Sequence, residues 1–163
     1  MNSFELLNRK IIRERGLLPG ILKEWKNTNQ KIVFTNGCFD IIHRGHIELL
    51  SKAADLGNKL IVGLNTDASV QRLKGSDRPI QDETSRALIM AGFGFIDIVV
   101  LFHEDTPIEL ISLIKPDILV KGGDYKAEDI IGYDFVTKNK GKVVIINFLE
   151  GYSTSSIVNK MKD

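Results

Sequence analysis

Apolar residues in this chain follow two alternating rhythms. Short unbroken runs rich in Ile and Val occur at Ile32–Phe34, Leu60–Leu64, Ile98–Leu101, Ile118–Val120 and Val143–Ile146. They lack the polar alternation of half-exposed strands, as strands covered on both faces of a parallel sheet do. Helix-like segments lie between them. Glu48–Leu56 places Leu49, Leu50, Ala53 and Ala54 on one face, and Glu83–Phe93 does so with Ala87, Leu88 and Met90. Pro107–Ile114 opens with Thr106 as its cap and a proline in the first turn, where a missing N–H costs nothing. Strand–helix alternation of this kind predicts an open, doubly wound α/β fold on five parallel strands.

A different pattern precedes the first strand. Over residues 3–26, Ser3 is the expected cap, and Leu6, Leu7, Ile11 and Ile12 recur at helical spacing. Gly16 and Pro19-Gly20 then break the helix, and Ile21, Leu22 and Trp25 predict a second short one. The polar cluster Asn27–Gln30 links this segment to the rest. The expected organisation is an N-terminal helical extension over residues 1–28 and a main domain over 29–163.

Ligands of such sheets bind beyond the carboxyl ends of the strands, and there the specialised polar residues collect. The first strand is followed by Asn36-Gly37-Cys38-Phe39-Asp40 and then His43-Arg44-Gly45-His46. The second is followed by Asn65-Thr66-Asp67 and a basic loop with Arg72, Lys74 and Arg78. His103-Glu104-Asp105 follow the third, Lys121-Gly122-Gly123-Asp124-Tyr125 the fourth, and Gly151-Tyr152-Ser153-Thr154-Ser155 the fifth.

The first loop has the makings of a phosphate cradle. Gly37 lets the backbone approach a ligand or take a positive φ, and Gly45 lets an anion sit close to a helix start, where free N–H groups and the helix dipole favour it. His43 and His46, three apart, share one helix face and both reach the same phosphate. A zinc site is the weaker reading, because His103, the remaining histidine, sits on another loop. Asp40 either orients a histidine or closes the turn. Ser153–Ser155 cap a short helix over Ile157–Met161, bind phosphates on the same N–H groups, or do both. Asp124 with its glycines either fixes a nucleoside or forms a structural turn. Cys38 reads as a small apolar lining residue, and Trp25 and Phe148 as packing residues.

Composition narrows the classes. The chain has 163 residues, 43% of them hydrophobic and 26% charged, with a net charge of +1. That gives no basic footprint for nucleic acid. No uncharged stretch approaches the ~20 residues of a membrane span. One cysteine excludes an internal disulfide, and a cytoplasmic location is expected.

His43-Arg44-Gly45-His46 resembles the His-x-Gly-His motif of the nucleotidyltransferase superfamily. One branch is more similar. Thr35–Asp40, Asn65–Ser69, Arg72–Gly75, Arg78-Pro79, Glu104–Pro107, Lys121–Tyr125 and Gly151–Thr154 resemble, in order, the adenylyltransferase domain of ADP-heptose synthase. The resemblance implies a three-layer, Rossmann-like fold of nucleotidyltransferase type. It implies transfer of AMP from ATP to D-glycero-β-D-manno-heptose 1-phosphate, with Mg²⁺ on the triphosphate and pyrophosphate released, for lipopolysaccharide core or another surface glycan. A cytidylyltransferase acting on a related heptose or polyol phosphate is the alternative.

The resemblance makes His43, His46 and Lys74 catalytic. It assigns nucleotide contacts to Asn36, Gly37, Cys38, Phe39, Asp40, Gly45, Lys121, Gly122, Asp124, Gly151, Ser153, Thr154 and Ser155. It assigns sugar-phosphate contacts to Asn65, Asp67, Lys74 and Arg78. Phe148 stands where the glycerol-phosphate branch has an arginine, which leaves one phosphate contact to Lys121 or Arg86. A homodimer through the apolar N-terminal segment is the expected assembly, with no metal ligand from the protein itself.

Overall fold

The structure, a computed structural model, describes residues 1–162. In chain order the elements are α1 (Ser3–Arg9), β1 (Ile11–Ile12), α2 (Leu18–Asn27), β2 (Ile32–Gly37), α3 (Arg44–Ala54), β3 (Lys59–Asn65), α4 (Asp67–Lys74), α5 (Glu83–Gly92), β4 (Ile98–Phe102), α6 (Ile108–Ile114), β5 (Ile118–Gly122), α7 (Tyr133–Lys138), β6 (Lys142–Ile146) and α8 (Thr154–Lys160). The strands form one sheet in the order β1-β4-β3-β2-β5-β6, and every pairing is parallel.

The sheet has six strands where five were expected, and the extra one comes from the N-terminal segment. Ile11 and Ile12 pair with Val99 and Val100 of β4 and do not continue the first helix. The reason is their burial. Both isoleucines are covered, and each enters a different core, Ile11 on one face of the sheet and Ile12 on the other. Successive residues point to opposite sides only in a strand. The Lys10 carbonyl accepts from the Val99 N–H at 2.8 Å, and the Lys10 ammonium reaches back to the Ala91 and Phe93 carbonyls at the end of α5.

Each face of the sheet carries its own core. On one, Leu49, Leu50 and Ala53 of α3 and Ala87, Met90 and Ala91 of α5 cover Val33, Val62, Val99 and Val120. On the other, Leu18 and Leu22 of α2, Leu110, Ile111 and Ile114 of α6 and Val136 of α7 cover Phe34, Ile61, Val100 and Leu119. Each fully buried aliphatic side chain contributes about 1.5–3 kcal/mol of transfer free energy, which fixes the register of strands that present both faces to apolar cover.

Local chemistry moves several helix ends from where the sequence placed them. Asn2, not Ser3, caps α1: its Oδ1 accepts from the Glu5 N–H at 2.9 Å, and the Glu5 carboxylate accepts from the Asn2 N–H. Pro19 does not break a helix. It lies in the first turn of α2, where no helical hydrogen bond is lost. Pro107 itself occupies the N-cap position of α6, so Thr106 lies outside it. The segment after β3, read as a basic loop, is α4, with the Thr66 hydroxyl accepting from the Ser69 N–H. No helix among the described residues is long and apolar enough to cross a membrane.

Candidate active site

The chain winds from β2 to β3 and β4 on one side and then crosses to β5 on the other. This reversal opens a crevice at the carboxyl ends of β2 and β5. The turn after β2 fills it. Gly37 has no positive φ; that conformation falls to Phe39, at 45°. What Gly37 supplies is room, since a Cβ there would sit 3.0 Å from the Phe39 ring. The ring in turn meets His46 edge-on, with centroids 5.4 Å apart. A glycine therefore positions a histidine through a phenylalanine.

His43 is the N-cap of α3 and His46 lies in its first turn. Their rings stack with centroids 3.8 Å apart and planes 26° from parallel. The His43 backbone N–H donates to His46 Nδ1 at 3.4 Å, which leaves Nε2 as the proton-bearing nitrogen of the neutral ring. Gly45 makes the stack possible: a Cβ on it would stand 3.1 Å from His43 Cε1 and Nδ1. Burial, the charge of His43 and then that of Lys74 push the His46 pKa down to about 4. Burial lowers that of His43 too. His43 Nδ1 is buried without a hydrogen-bond partner, a donor or acceptor held ready at the helix start.

The rest of the first loop is held by charge. Asp40, nearly buried, takes the Arg78 guanidinium at 2.8 Å and accepts from the Ile80 and Gln81 N–H groups. Burial alone would raise its pKa, but the Gln81 and Ile80 N–H groups and Arg78 outweigh burial and lower it. Asp40 thus closes a loop and does not reach a histidine. Arg86 is 0% exposed. It donates to the Cys38, Asn65 and Gln81 carbonyls and pairs with Asp67 at 2.7 Å. Arg86 cannot therefore be the extra phosphate contact that Phe148 leaves open; it staples three loops together. The Asn65 amide donates to the Ser69 hydroxyl. Asn65 and Asp67, expected to meet a sugar phosphate, spend polar groups on the fold.

A cleft of 460 Å³ opens over these residues. Asn36, Gly37, Cys38, Phe39, Asp40, His46, Asn65, Lys74, Arg78, Lys121, Gly122 and Thr154 line it. His43, Gly45, Asp67, Asp124, Gly151, Ser153 and Ser155 stand outside its lining. Ser153 caps α8, and Gly151 takes a φ of 82° in the turn before it. Thr154 reaches the Ile41 carbonyl. Burial pushes the Cys38 thiol up, as suits a lining residue rather than a reactive one. Lys121 has its pKa lowered by burial and, among the described residues, meets no carboxylate.

Sequence reasoning missed the cleft's apolar walls. Phe148, expected in the packing, is 60% exposed and lines the cleft with Leu49, Leu73, Phe102, Tyr125 and Ile131. Their signal was position, since several follow a strand within a few residues. Among the described residues no three His, Cys, Asp or Glu side chains converge as a metal cage; the cleft presents Lys74, Lys121 and neutral donors that suit phosphate oxygens, while its carboxylates, Asp40 and Asp105, are paired with Arg78 and Arg72.

Comparison with known proteins gives concordant results. The cytidylyltransferase-like family matches residues 34–160. The Bifunctional protein HldE of Campylobacter jejuni is 59% identical over 100% of this chain and 34% of its own length. Proteins of the same name from Wolinella succinogenes and Bradyrhizobium diazoefficiens are 52% and 48% identical over 93% and 99% of the chain. The chain spans about a third of the length of these curated relatives. The crystal structure of the lipopolysaccharide core biosynthesis protein from Thermoplasma volcanium superposes with a TM-score of 0.59 at 30% identity, covering 76% of this chain and 99% of that one.

Proposed function

This chain belongs to the cytidylyltransferase-like family, and from that premise we propose that it transfers AMP from ATP to D-glycero-β-D-manno-heptose 1-phosphate, giving ADP-heptose and pyrophosphate. The observation that carries the reading is the stacked His43–His46 pair at the start of α3, beside a cleft that also holds Lys74 and Lys121. The substrates rest on the resemblance to the adenylyltransferase domain of ADP-heptose synthase and on the HldE relatives. The structural neighbour from Thermoplasma volcanium, a lipopolysaccharide core biosynthesis protein, supports a surface glycan as the destination.

The chemistry needs no covalent enzyme intermediate. A phosphate oxygen of the sugar 1-phosphate attacks the α-phosphorus of ATP. The bond to the bridging oxygen breaks, and pyrophosphate leaves in line with that electron pair. Catalysis is then positioning and charge stabilisation. His46 donates through Nε2–H, His43 through its unpartnered nitrogen, and the free N–H groups of α3 face the same charge. Lys74 spans the two phosphates being joined. Asn36, Gly37, Cys38, Phe39, Lys121, Gly122 and Thr154 bound the nucleotide, with Asp124, Gly151, Ser153 and Ser155 closing over it from outside the present lining. Mg²⁺ would arrive on the triphosphate and neutralise charge there, held by phosphate oxygens and water.

The reaction belongs in the cytoplasm, where ATP is supplied, and the proposed assembly is a homodimer through the exposed Phe4 and Leu6 of α1. Light scattering that gives a monomer at working concentration dismisses the dimer. The activity is tested by incubating the protein with heptose 1-phosphate, Mg²⁺ and each common nucleoside triphosphate. Pyrophosphate release with ATP is expected, and silence with all of them overturns the reading. Release with CTP in place of ATP, or with glycerol phosphate, reassigns the substrates.

A further inference from the structure

The sugar-phosphate contacts expected from sequence are largely spent. Asn65 holds Ser69, Asp67 holds Arg86, and Arg78 holds Asp40. The polar side chains left over lie elsewhere. A side pocket of 180 Å³ opens off the main cleft and shares Asn36, Lys121 and Tyr125 with it. Asn36 and Lys121 sit on the ends of β2 and β5, in step with Phe34 and Leu119, so they face the side of the sheet opposite His46 and Leu49. Asp129 stands on the far rim. Among the described residues, the side chains of Asn36, Lys121 and Asp129 make no hydrogen bond or ion pair.

We propose that this side pocket seats the ring of the acceptor sugar, with the sugar's phosphate turned past Asn36 and Lys121 into the main cleft. The proposal rests on the transferase reading above and names where its acceptor binds. Size limits the ligand: the 180 Å³ space admits one ring and not a whole nucleotide. The lining chemistry agrees. A sugar has an apolar C–H face and a rim of hydroxyls. Ile130, Ile131 and the Tyr125 ring offer the first an apolar wall, and an amide, an ammonium and a carboxylate offer the second both donors and acceptors. Tyr125 is held in place by the backbone. Gly123 has a φ of 128°, and a Cβ there would lie 2.5 Å from the tyrosine ring. Lys121 then stands between the two substrates, with its charge uncommitted to any carboxylate among the described residues.

The test uses two substitutions at one exposed rim position, Asp129→Asn and Asp129→Trp, where the residue lines the side pocket and not the main cleft. Calorimetry measures binding of heptose 1-phosphate, with and without a non-hydrolysable ATP analogue, and binding of the analogue alone. Blocking the pocket with tryptophan is expected to weaken the sugar phosphate by about tenfold or more, Asp129→Asn to weaken it less, and both to leave the ATP analogue unaffected. In turnover, KM for the sugar phosphate rises while KM for ATP holds. Weakening of the nucleotide, equal weakening of both ligands, unaltered sugar binding in Asp129→Trp, or no sugar binding by the unmodified protein overturns the assignment. If the unmodified protein binds the sugar phosphate in this pocket yet releases no pyrophosphate, the transferase reading falls and the pocket assignment stands.

Discussion

His43 and His46 stack face to face at 3.8 Å, and the backbone N–H of the first donates to the ring of the second. Their positions are mutually dependent, and among the described residues no carboxylate holds either ring. Replacing His46 by alanine removes a donor aimed at developing charge and frees the His43 ring. A loss of about a hundredfold to a thousandfold in kcat is expected, with the circular dichroism spectrum unchanged. Turnover near the original rate would remove the pair from the mechanism.

The protonation of His46 should respond to ligand. Burial and the neighbouring charges of His43 and Lys74 hold its pKa at about 4, below the usual histidine value, so the ring is neutral at pH 7. Because the folded pKa is the lower one, the unfolded chain binds more protons through the window from ordinary histidine values down to about 4, and stability falls as pH drops through it. A bound triphosphate favours the imidazolium and reverses the shift. NMR titration is expected to show the His46 midpoint near 4 in the free protein and higher with ATP analogue, and an unchanged midpoint refutes the contact.

Gly45 separates catalysis from stability. Alanine is worth about 1 kcal/mol more than glycine inside a helix, yet a Cβ here would press His43 at 3.1 Å. Gly45→Ala is therefore expected to keep or raise Tm while kcat falls sharply. Parallel losses in both would mean that the residue serves only the fold.

Asp40 and Arg78 tie the loop before α5 to the turn after β2. Asp40→Ala strands the Ile80 and Gln81 N–H groups and an arginine beside them, an expected cost of about 2–4 kcal/mol in urea denaturation. The lowered pKa of Asp40 adds a pH dependence of definite sign. Its contribution is present above the ordinary carboxylate range and is lost as pH falls through the folded value. A denaturation midpoint unchanged in Asp40→Ala would show the tie to be idle.

Arg86, fully buried, joins the Cys38, Asn65 and Gln81 carbonyls to Asp67. Arg86→Met is expected to destabilise by about 3–5 kcal/mol, since three carbonyls and a carboxylate lose their donor. A loss of turnover at full stability would instead return Arg86 to the substrate.

The five long strands were legible because continuous Ile and Val runs have few other uses. β1 was not. Two residues carry too short a period to tell Ile11 and Ile12 from the next turn of a helix, and only pairing with Val99 and Val100 decides it. α4 was hidden by its polarity, since Arg72 and Lys74 sit where a loop reading serves equally well. At the site, residue types at fixed spacing point to the histidines, and the structure places His46 in one cleft with Lys74 and Lys121. The side chains of Asn65, Asp67 and Arg86 could not be read, because whether a polar group is free depends on partners far along the chain. Gly37 shows the same limit: its spatial partner is the ring two residues on, a contact set by the Phe39 backbone.

The short strand formed by Ile11 and Ile12 guards the margin of the sheet. Without it, the unpaired groups of β4 would offer a template on which another molecule could add its own strand. That pairing confines association to the proposed α1 contact, and trimming the first twelve residues should leave the catalytic groups untouched while exchanging a discrete dimer for a precipitate.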